Sequence, residues 1–273
     1  MASRDSSAAA TDFEQSRDYV QSLARGLSVL SAFDAQHQTL GLAGIAARTG
    51  LSRASVRRLV LTLTHLGYVR PMGREYALSP RVLELGFGCL SSLKLTDLAQ
   101  PLIEQLAQRV NHSCSMAVLD GQSIVYVLRV PVRRVMTVAL GVGARLPAYA
   151  ASMGRVLIAG LPAESLETWL SACRPERLTP HTVTDPRRLR RIVAEVRGQG
   201  YAYVEQELEL GLCSLAVPVR DRDGRVVAAL NASLPYHADA ARHALSEVLP
   251  ELRTTATAIE RCLPANSLPP VSL

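Results

Sequence analysis

Only Leu51 and Ser52 separate the stretch "LAGIAARTG" (42–50) from the stretch "RASVRRLVLTLTHLG" (53–67). Both stretches carry apolar residues at helical spacing, and each ends on a glycine, the residue that most easily takes the left-handed conformation that stops a helix. Two helices joined by so short a connection must turn sharply and share a core, which reads as a helix-turn-helix. Ser52 is placed to cap the second helix. At about 100° per residue, Val56, Leu59, Val60, Leu63 and Leu66 share one arc of that helix, the core side. Ala54, Arg57, Arg58 and His65 lie on or near the opposite side. Leu61 falls there too, with no role in the pattern beyond packing on the residues of 68–78.

The flanking segments extend the unit. Residues 20–33 place Leu23, Leu27 and Leu30 at helical spacing. Residues 68–78, "YVRPMGREYAL", put two short apolar strands around a Pro/Gly turn, a hairpin signature. Helix, helix, tight turn, helix, hairpin is the outline of a winged helix-turn-helix.

Charge placement says what such a unit meets. The chain has a formal net charge of +6. Between residues 20 and 82, eight arginines face only Asp34 and Glu75, so the whole excess sits in one segment. A charge asymmetry of this kind points one module toward a polyanion. Alone, the arginines of 53–67 read as a solvated face. With the turn before them and Arg70 and Arg74 after them, they read as a face for double-stranded DNA. The candidate DNA contacts are Ser52, Arg53, Ala54, Ser55, Arg57 and Arg58, with Arg74 in the wing. The small residues allow close approach, and the arginines suit guanine edges or phosphate.

Beyond residue 80 the pattern changes. Residues 80–95 read as a connecting helix and 96–111 as another, with Pro101 early in it. Strands follow at 113–130, around an Asp-Gly turn, and at 135–140. Helices are expected at 152–160, 163–172 and 186–200, then a strand at 201–206 and a second Asp-Gly hairpin at 223–224. A closing helix is bent or interrupted at Pro250. The fold class is α+β on a largely antiparallel sheet. The expected divisions are a disordered tail (1–19), the DNA-binding domain (20–79), a linker helix (80–95), a second domain (96–265) and a C-terminal tail (266–273).

Several classes are set aside. The five cysteines are widely spaced, with no C-x-x-C, so neither a disulfide framework nor a zinc site is expected, and no metal or cofactor. No signal-peptide core or membrane-length apolar run is present, so the expectation is a cytoplasmic protein that meets no membrane. No G-x-S-x-G elbow or paired-carboxylate spacing appears, and no catalytic residue is assigned.

The second module suggests a small-molecule site. In "PAYAASMGR", Ser152 is read as the cap of a short helix, whose free N–H groups and dipole suit a carboxylate. Arg134, or Arg133, could supply a bidentate partner. Leu146, Tyr149 and Met153 offer apolar wall. Glu205, Glu207 and Glu209 read as solvated.

The stretches "SLARGLSVLSAF", "LGLAGIAARTGLSRASVRRLVLTLTHLGYV", "LPAYAASMGRVLIAGL" and "ELELGLCSLAVPVRDRDGRVVAALNAS" together resemble an IclR-family transcriptional regulator, from about residue 20 to 264. "RLPAYAASMGRVLIA" and "EQELELGLCSLAVPV" resemble the branch that regulates protocatechuate, 4-hydroxybenzoate and β-ketoadipate catabolism. The resemblance implies a winged N-terminal domain, a linker helix, a GAF-like effector domain, and homodimers or tetramers on a pseudo-palindromic operator. It also implies that Ser152 and Gly154 border the pocket and that Ser214, Asn231 and Ser233 line it. The family branch has Arg where this chain has Cys213, whose facing is left open. The reading is an activator answering a small aromatic or keto carboxylate such as 4-hydroxybenzoate or protocatechuate. Three alternatives stay open. One is a repressor answering a non-aromatic acid such as β-ketoadipate or pyruvate. Another is a hydrolase built from Ser152 or Cys213 with one of His112, His181, His237 and His243. The third is a sensor whose basic domain binds protein.

Overall fold

A computed structural model describes residues 13, 16–34, 36–82, 85, 94–132 and 141–263. Most of the linker expected at 80–95 lies outside the described residues. So do most of the N-terminal tail, the strand expected at 135–140, and the C-terminal tail. The chain divides into two compact units, one up to residue 89 and one from residue 90.

The first unit contains α1 (Gln21–Ser31), β1 (Thr39–Leu40), α2 (Leu42–Thr49), α3 (Arg53–His65), β2 (Val69–Met72) and β3 (Glu75–Leu78). Gly50 takes a left-handed conformation with φ 69° and ends α2. Ser52 accepts a hydrogen bond from the Ser55 N–H and starts α3. The sharp turn is thus fixed by one glycine and one hydroxyl. The core gathers Val29, Phe33, Leu40, Ile45, Val56, Val60, Leu63 and Val69.

Three details differ from the periodicity. Leu23 and Leu27 are exposed, because α1 meets its neighbours through its last turn, where Val29 is buried. Leu66 is exposed because it lies one residue past the end of α3. Thr39–Leu40 adds a third strand, giving the order β1-β3-β2. Two residues are too few to show an alternation. The hairpin turn is Gly73-Arg74, with Gly73 at φ 66°.

The second unit contains α4 (Lys94–Val110), β4 (Ser113–Asp120), β5 (Ser123–Val130), β6 (Arg145–Pro147), α5 (Ser152–Ala159), α6 (Ala163–Ala172), α7 (Pro186–Gln199), β7 (Ala202–Glu205), β8 (Leu212–Arg220), β9 (Val226–Pro235), α8 (Ala240–His243) and α9 (Leu249–Cys262). Among the described residues its six strands form one fully antiparallel sheet, ordered β6-β5-β4-β9-β8-β7. One sheet face packs on α4 and α9 through residues such as Ile103, Met116, Leu215, Leu230, Leu252 and Ile259. The other packs on α5, α6 and α7 through Met153, Ile158, Trp169, Leu189 and Val193. The interruption read at Pro250 is a π-helical turn, Ala244–Val248, immediately before α9. Pro250 sits in the first turn of α9, where its missing N–H costs no helical bond.

One irregularity positions the site. Between β4 and β5 the register runs from Met116↔Leu128 to Ala117↔Tyr126, so Val127 is an extra residue. Such a bulge shifts the facing of the residues beyond it by one place. Tyr126 and Arg129, three apart in sequence, therefore share a sheet face.

Candidate functional site

In the first unit, α3 presents Arg53, Ala54, Arg57 and Arg58 to solvent, with Ser52 exposed at the cap and Ser55 half-buried beside it. Arg74 stands at the tip of the wing, and Arg70 is exposed on β2. Among the described residues, Arg53, Arg57, Arg58, Arg70 and Arg74 form no ion pair. Asp34, one of the two acids of the segment, is engaged away from this helix. Asp34 is held by Arg48 at 2.5 Å and by His37 at 2.8 Å, and the His37 hydrogen bond pulls its carboxyl below the usual value. Arg81 is partly spent on structure, donating to the Leu66 carbonyl and stacking over Tyr68.

In the second unit, polar residues gather on the sheet face that meets α5. Register places Arg129, Ser115 and Asn231 in one row across β5, β4 and β9. Ser113, Ser233 and Ser214 form the next row across β4, β9 and β8. Directly opposed residues in such rows stand ~4.5–5.5 Å apart. Asn231 donates weakly to Ser233 at 3.5 Å, and Ser113 accepts from the Val132 N–H. Among the described residues, four buried polar atoms lack a hydrogen-bond partner: Ser115 Oγ, Asn231 Oδ1, an Arg129 guanidinium nitrogen and Ser152 Oγ. Three of these four belong to the first row.

A small cavity of about 10 Å³, room for about one water, borders these rows at Asn231 of the first and at Ser214 and Ser233 of the second. Tyr126, Leu146, Met153, Leu208 and Leu212 form its apolar wall, and Ser152, Ser214, Asn231 and Ser233 supply polar groups. Burial raises the Tyr126 phenol to about 12 against a smaller opposing pull from Arg129, so its hydroxyl stays protonated at neutral pH and can donate. The sequence placed Leu146, Ser152, Met153, Ser214, Asn231 and Ser233 at a common site, and these six do line one cavity.

Other expectations meet a different arrangement. Ser152 is not a cap. Ala151 holds the extended cap position after a 3₁₀ turn, and Ser152 is the first helical residue with its hydroxyl unpaired. Tyr149 is absent from the described lining, and its hydroxyl is bonded to the backbone of Glu176 at 3.0 Å on both sides. Gly154 acts through fit: a Cβ there would lie 2.0 Å from the Ala148 carbonyl oxygen. Arg134 lies outside the described residues. Tyr126, Leu208 and Leu212, which line the cavity, were missed, as were Arg129 and Ser115 of the row that adjoins it at Asn231. Strict alternation puts Arg129 on the wrong face, and only the bulge at Val127 turns it inward. Cys213 faces neither effector nor solvent. It is fully buried on the opposite sheet face, packed with the α4 and α9 core. Burial also pushes its thiol up.

Glu207, expected in solvent, is buried and bonded to Arg155 at 2.7 Å. Its same oxygen accepts the Val183 N–H at 2.9 Å, while Arg155 donates to the Tyr149 carbonyl at 3.0 Å. Thr179 and Thr182 hydroxyls donate to the Gln206 and Glu207 carbonyls. The cavity wall from Leu208 is thereby tied to α5, which carries Ser152 and Met153. Removing one partner of a buried pair strands the other charge. Arg155→Met is expected to lower the unit's stability by ~3–5 kcal/mol in chemical denaturation. Adding Glu207→Leu should restore all but the ~1–3 kcal/mol of the Val183 amide left unpaired. A double variant no more stable than Arg155→Met contradicts this account of the pair.

Comparison with known proteins bears on both surfaces. Residues 22–72 match the model described as the IclR helix-turn-helix domain, and residues 87–261 match that of the bacterial transcriptional regulator IclR C-terminal region. The chain is 44% identical over 217 residues to the Pca regulon regulatory protein of Pseudomonas putida, covering 79% of this chain and 75% of that one. It is 36% identical to the p-hydroxybenzoate hydroxylase transcriptional activator of Acinetobacter baylyi, covering 89% of this chain and 91% of that one. A crystal structure of an IclR homolog from Microbacterium hydrocarbonoxydans, complexed with 4-hydroxybenzoate, is similar with a TM-score of 0.77 at 30% identity, covering 88% of this chain and 98% of that one.

Proposed function

The chain belongs to the IclR family of bacterial transcriptional regulators, and from that premise we propose that it controls an aromatic-acid catabolic operon in answer to a small aromatic carboxylate. It is a regulator and not an enzyme, as are the relatives it matches. The observation that carries the proposal is the row Arg129–Ser115–Asn231, each with one buried polar atom lacking a partner, which reaches the apolar-walled cavity at Asn231. Buried polar groups are costly unless paired, and a guanidinium fits a carboxylate in two-point fashion. Arg129 is assigned to the carboxylate. Asn231, Ser233 and Ser214 are assigned to further polar groups of the ligand, and Ser152 to the opposite wall. Leu146, Met153, Leu208 and Leu212 are assigned to the ring, which these walls must part to admit. Cavities with apolar walls and few polar anchors suit ligands of this kind.

On DNA, α3 lies in the major groove. Ser52, Arg53, Ala54 and Ser55 approach at its start, Arg57 and Arg58 share base and phosphate contacts, and Arg74 holds backbone from the wing. The protein acts as a homo-oligomer on a pseudo-palindromic operator in the cytoplasm. Its sign is activation, the sign carried by the name of the Acinetobacter relative. No helix among the described residues is long and apolar enough to cross a membrane.

Two experiments test the halves separately. In gel-shift titrations on an operator fragment, the joint variant Arg57→Ala, Arg58→Ala is expected to bind at least tenfold more weakly, with a shallower salt dependence because fewer counterions are released. Unchanged affinity removes α3 from the interface. In thermal-shift assays, 4-hydroxybenzoate or protocatechuate at a hundredfold excess over its dissociation constant stabilises the folded state by ~2.7 kcal/mol. β-Ketoadipate and pyruvate should give less. A larger shift with either open-chain acid moves the effector class away from aromatic acids.

A further inference from the structure

We propose that Leu61 is a base-reading residue, recognising the C5-methyl group of thymine in the major groove. The proposal rests on α3 being the DNA-recognition helix. Taking Ala54 as origin and about 100° per residue, Arg57 lies ~60° to one side and Arg58 ~40° to the other, with Leu61 and His65 between them within ~20° of the origin. Leu61 is therefore at the centre of the arginine-bearing face, at 46% exposure. The core side of the helix is already filled by Val56, Val60 and Leu63. A helix that lays Arg57 and Arg58 into a groove brings Leu61 against base edges as well.

The chemistry of the neighbouring side chains narrows what Leu61 meets. The Thr62 hydroxyl donates to the Arg58 carbonyl and the Thr64 hydroxyl to the Val60 carbonyl. Ser52 and Ser55 hydroxyls bond to each other at 3.0 Å. The hydroxyls of this helix are thus engaged with the protein, which leaves arginine, histidine, Ala54 and Leu61 on the groove side, with Leu61 the one large apolar side chain among them. Among base edges in the major groove, thymine alone offers an apolar group, its methyl. An exposed leucine flanked by unpaired arginines suits a surface that is anionic at its rim and carries methyl groups on its floor. A solvated protein partner would not explain the surrounding positive charge as well.

The test starts from duplexes enriched out of a random library by the full-length wild-type chain. Each thymine of the enriched site is then replaced in turn by uracil, which lacks only the methyl. Fluorescence anisotropy compares wild type with Leu61→Ala, a change at an exposed site to the best helix former. The expected result is one thymine position where uracil weakens wild-type binding about fourfold, the worth of one buried methyl group. Leu61→Ala should be indifferent to uracil there and should keep the wild-type dependence on salt. A scan in which wild type tolerates uracil at every position overturns the proposal. So does a Leu61→Ala variant that keeps the wild-type discrimination. If the wild type enriches no duplex, the recognition-helix reading itself falls. If it enriches one, and the joint Arg57, Arg58 variant loses it while the uracil scan is flat, only the role of Leu61 falls.

Discussion

Burying a polar group without a partner costs ~1–3 kcal/mol, more when the group is charged. The sheet face beneath α5 carries that cost in one place, at Arg129, Ser115, Asn231 and Ser152. A chain selected for stability alone would fill these positions with the valines and alanines that occupy the rest of the sheet. The opposite face does so, with Met116, Leu215, Leu230 and Ala232. One face is thus apolar core, while the other combines a core beneath α5, α6 and α7 with a patch of unpaired polar groups. A ligand that pairs those groups would return that free energy on binding.

A receptor site needs walls that hold their places. Gly154 lets α5 settle against the Ala148 carbonyl more closely than any side chain would permit. The Arg155–Glu207 pair joins that helix to the segment that provides Leu208 and Leu212. The pair is buried, so its attraction is not screened by salt as a surface pair would be. It therefore sets geometry more than it adds net stability. A ligand that favours one arrangement of these walls shifts the population toward it, which is how occupancy of this unit can alter what the protein does on DNA.

Much of this was legible in the residues. Gly50, Ser52 and the apolar arc of α3 gave the helix-turn-helix, and the two Asp-Gly turns gave the β4–β5 and β8–β9 hairpins. Six cavity residues were placed together, mostly through the resemblance. What was not legible has physical causes. A β-bulge leaves no mark in the local pattern, so the inward turn of Arg129 could not be read. Burial of a glutamate depends on a partner 52 positions away in sequence, so Glu207 read as solvated beside Glu205 and Glu209. Ser152 looks like a helix cap by residue type, yet the preceding 3₁₀ turn hands that position to Ala151. The facing of Cys213 was open until the register of β8 placed its neighbour Ser214 on the cavity side.

The central claim is that the unpaired Nη1 of Arg129 is kept for a carboxylate. Calorimetric titration with 4-hydroxybenzoate and with its uncharged amide, 4-hydroxybenzamide, tests it most directly. A hydrogen-bonded charge pair is worth ~1.5–3 kcal/mol. The wild type should therefore bind the acid at least about tenfold more tightly than the amide, and Arg129→Met should bind the two alike. Equal binding of acid and amide by the wild type, or an undiminished preference for the acid in Arg129→Met, would contradict the account.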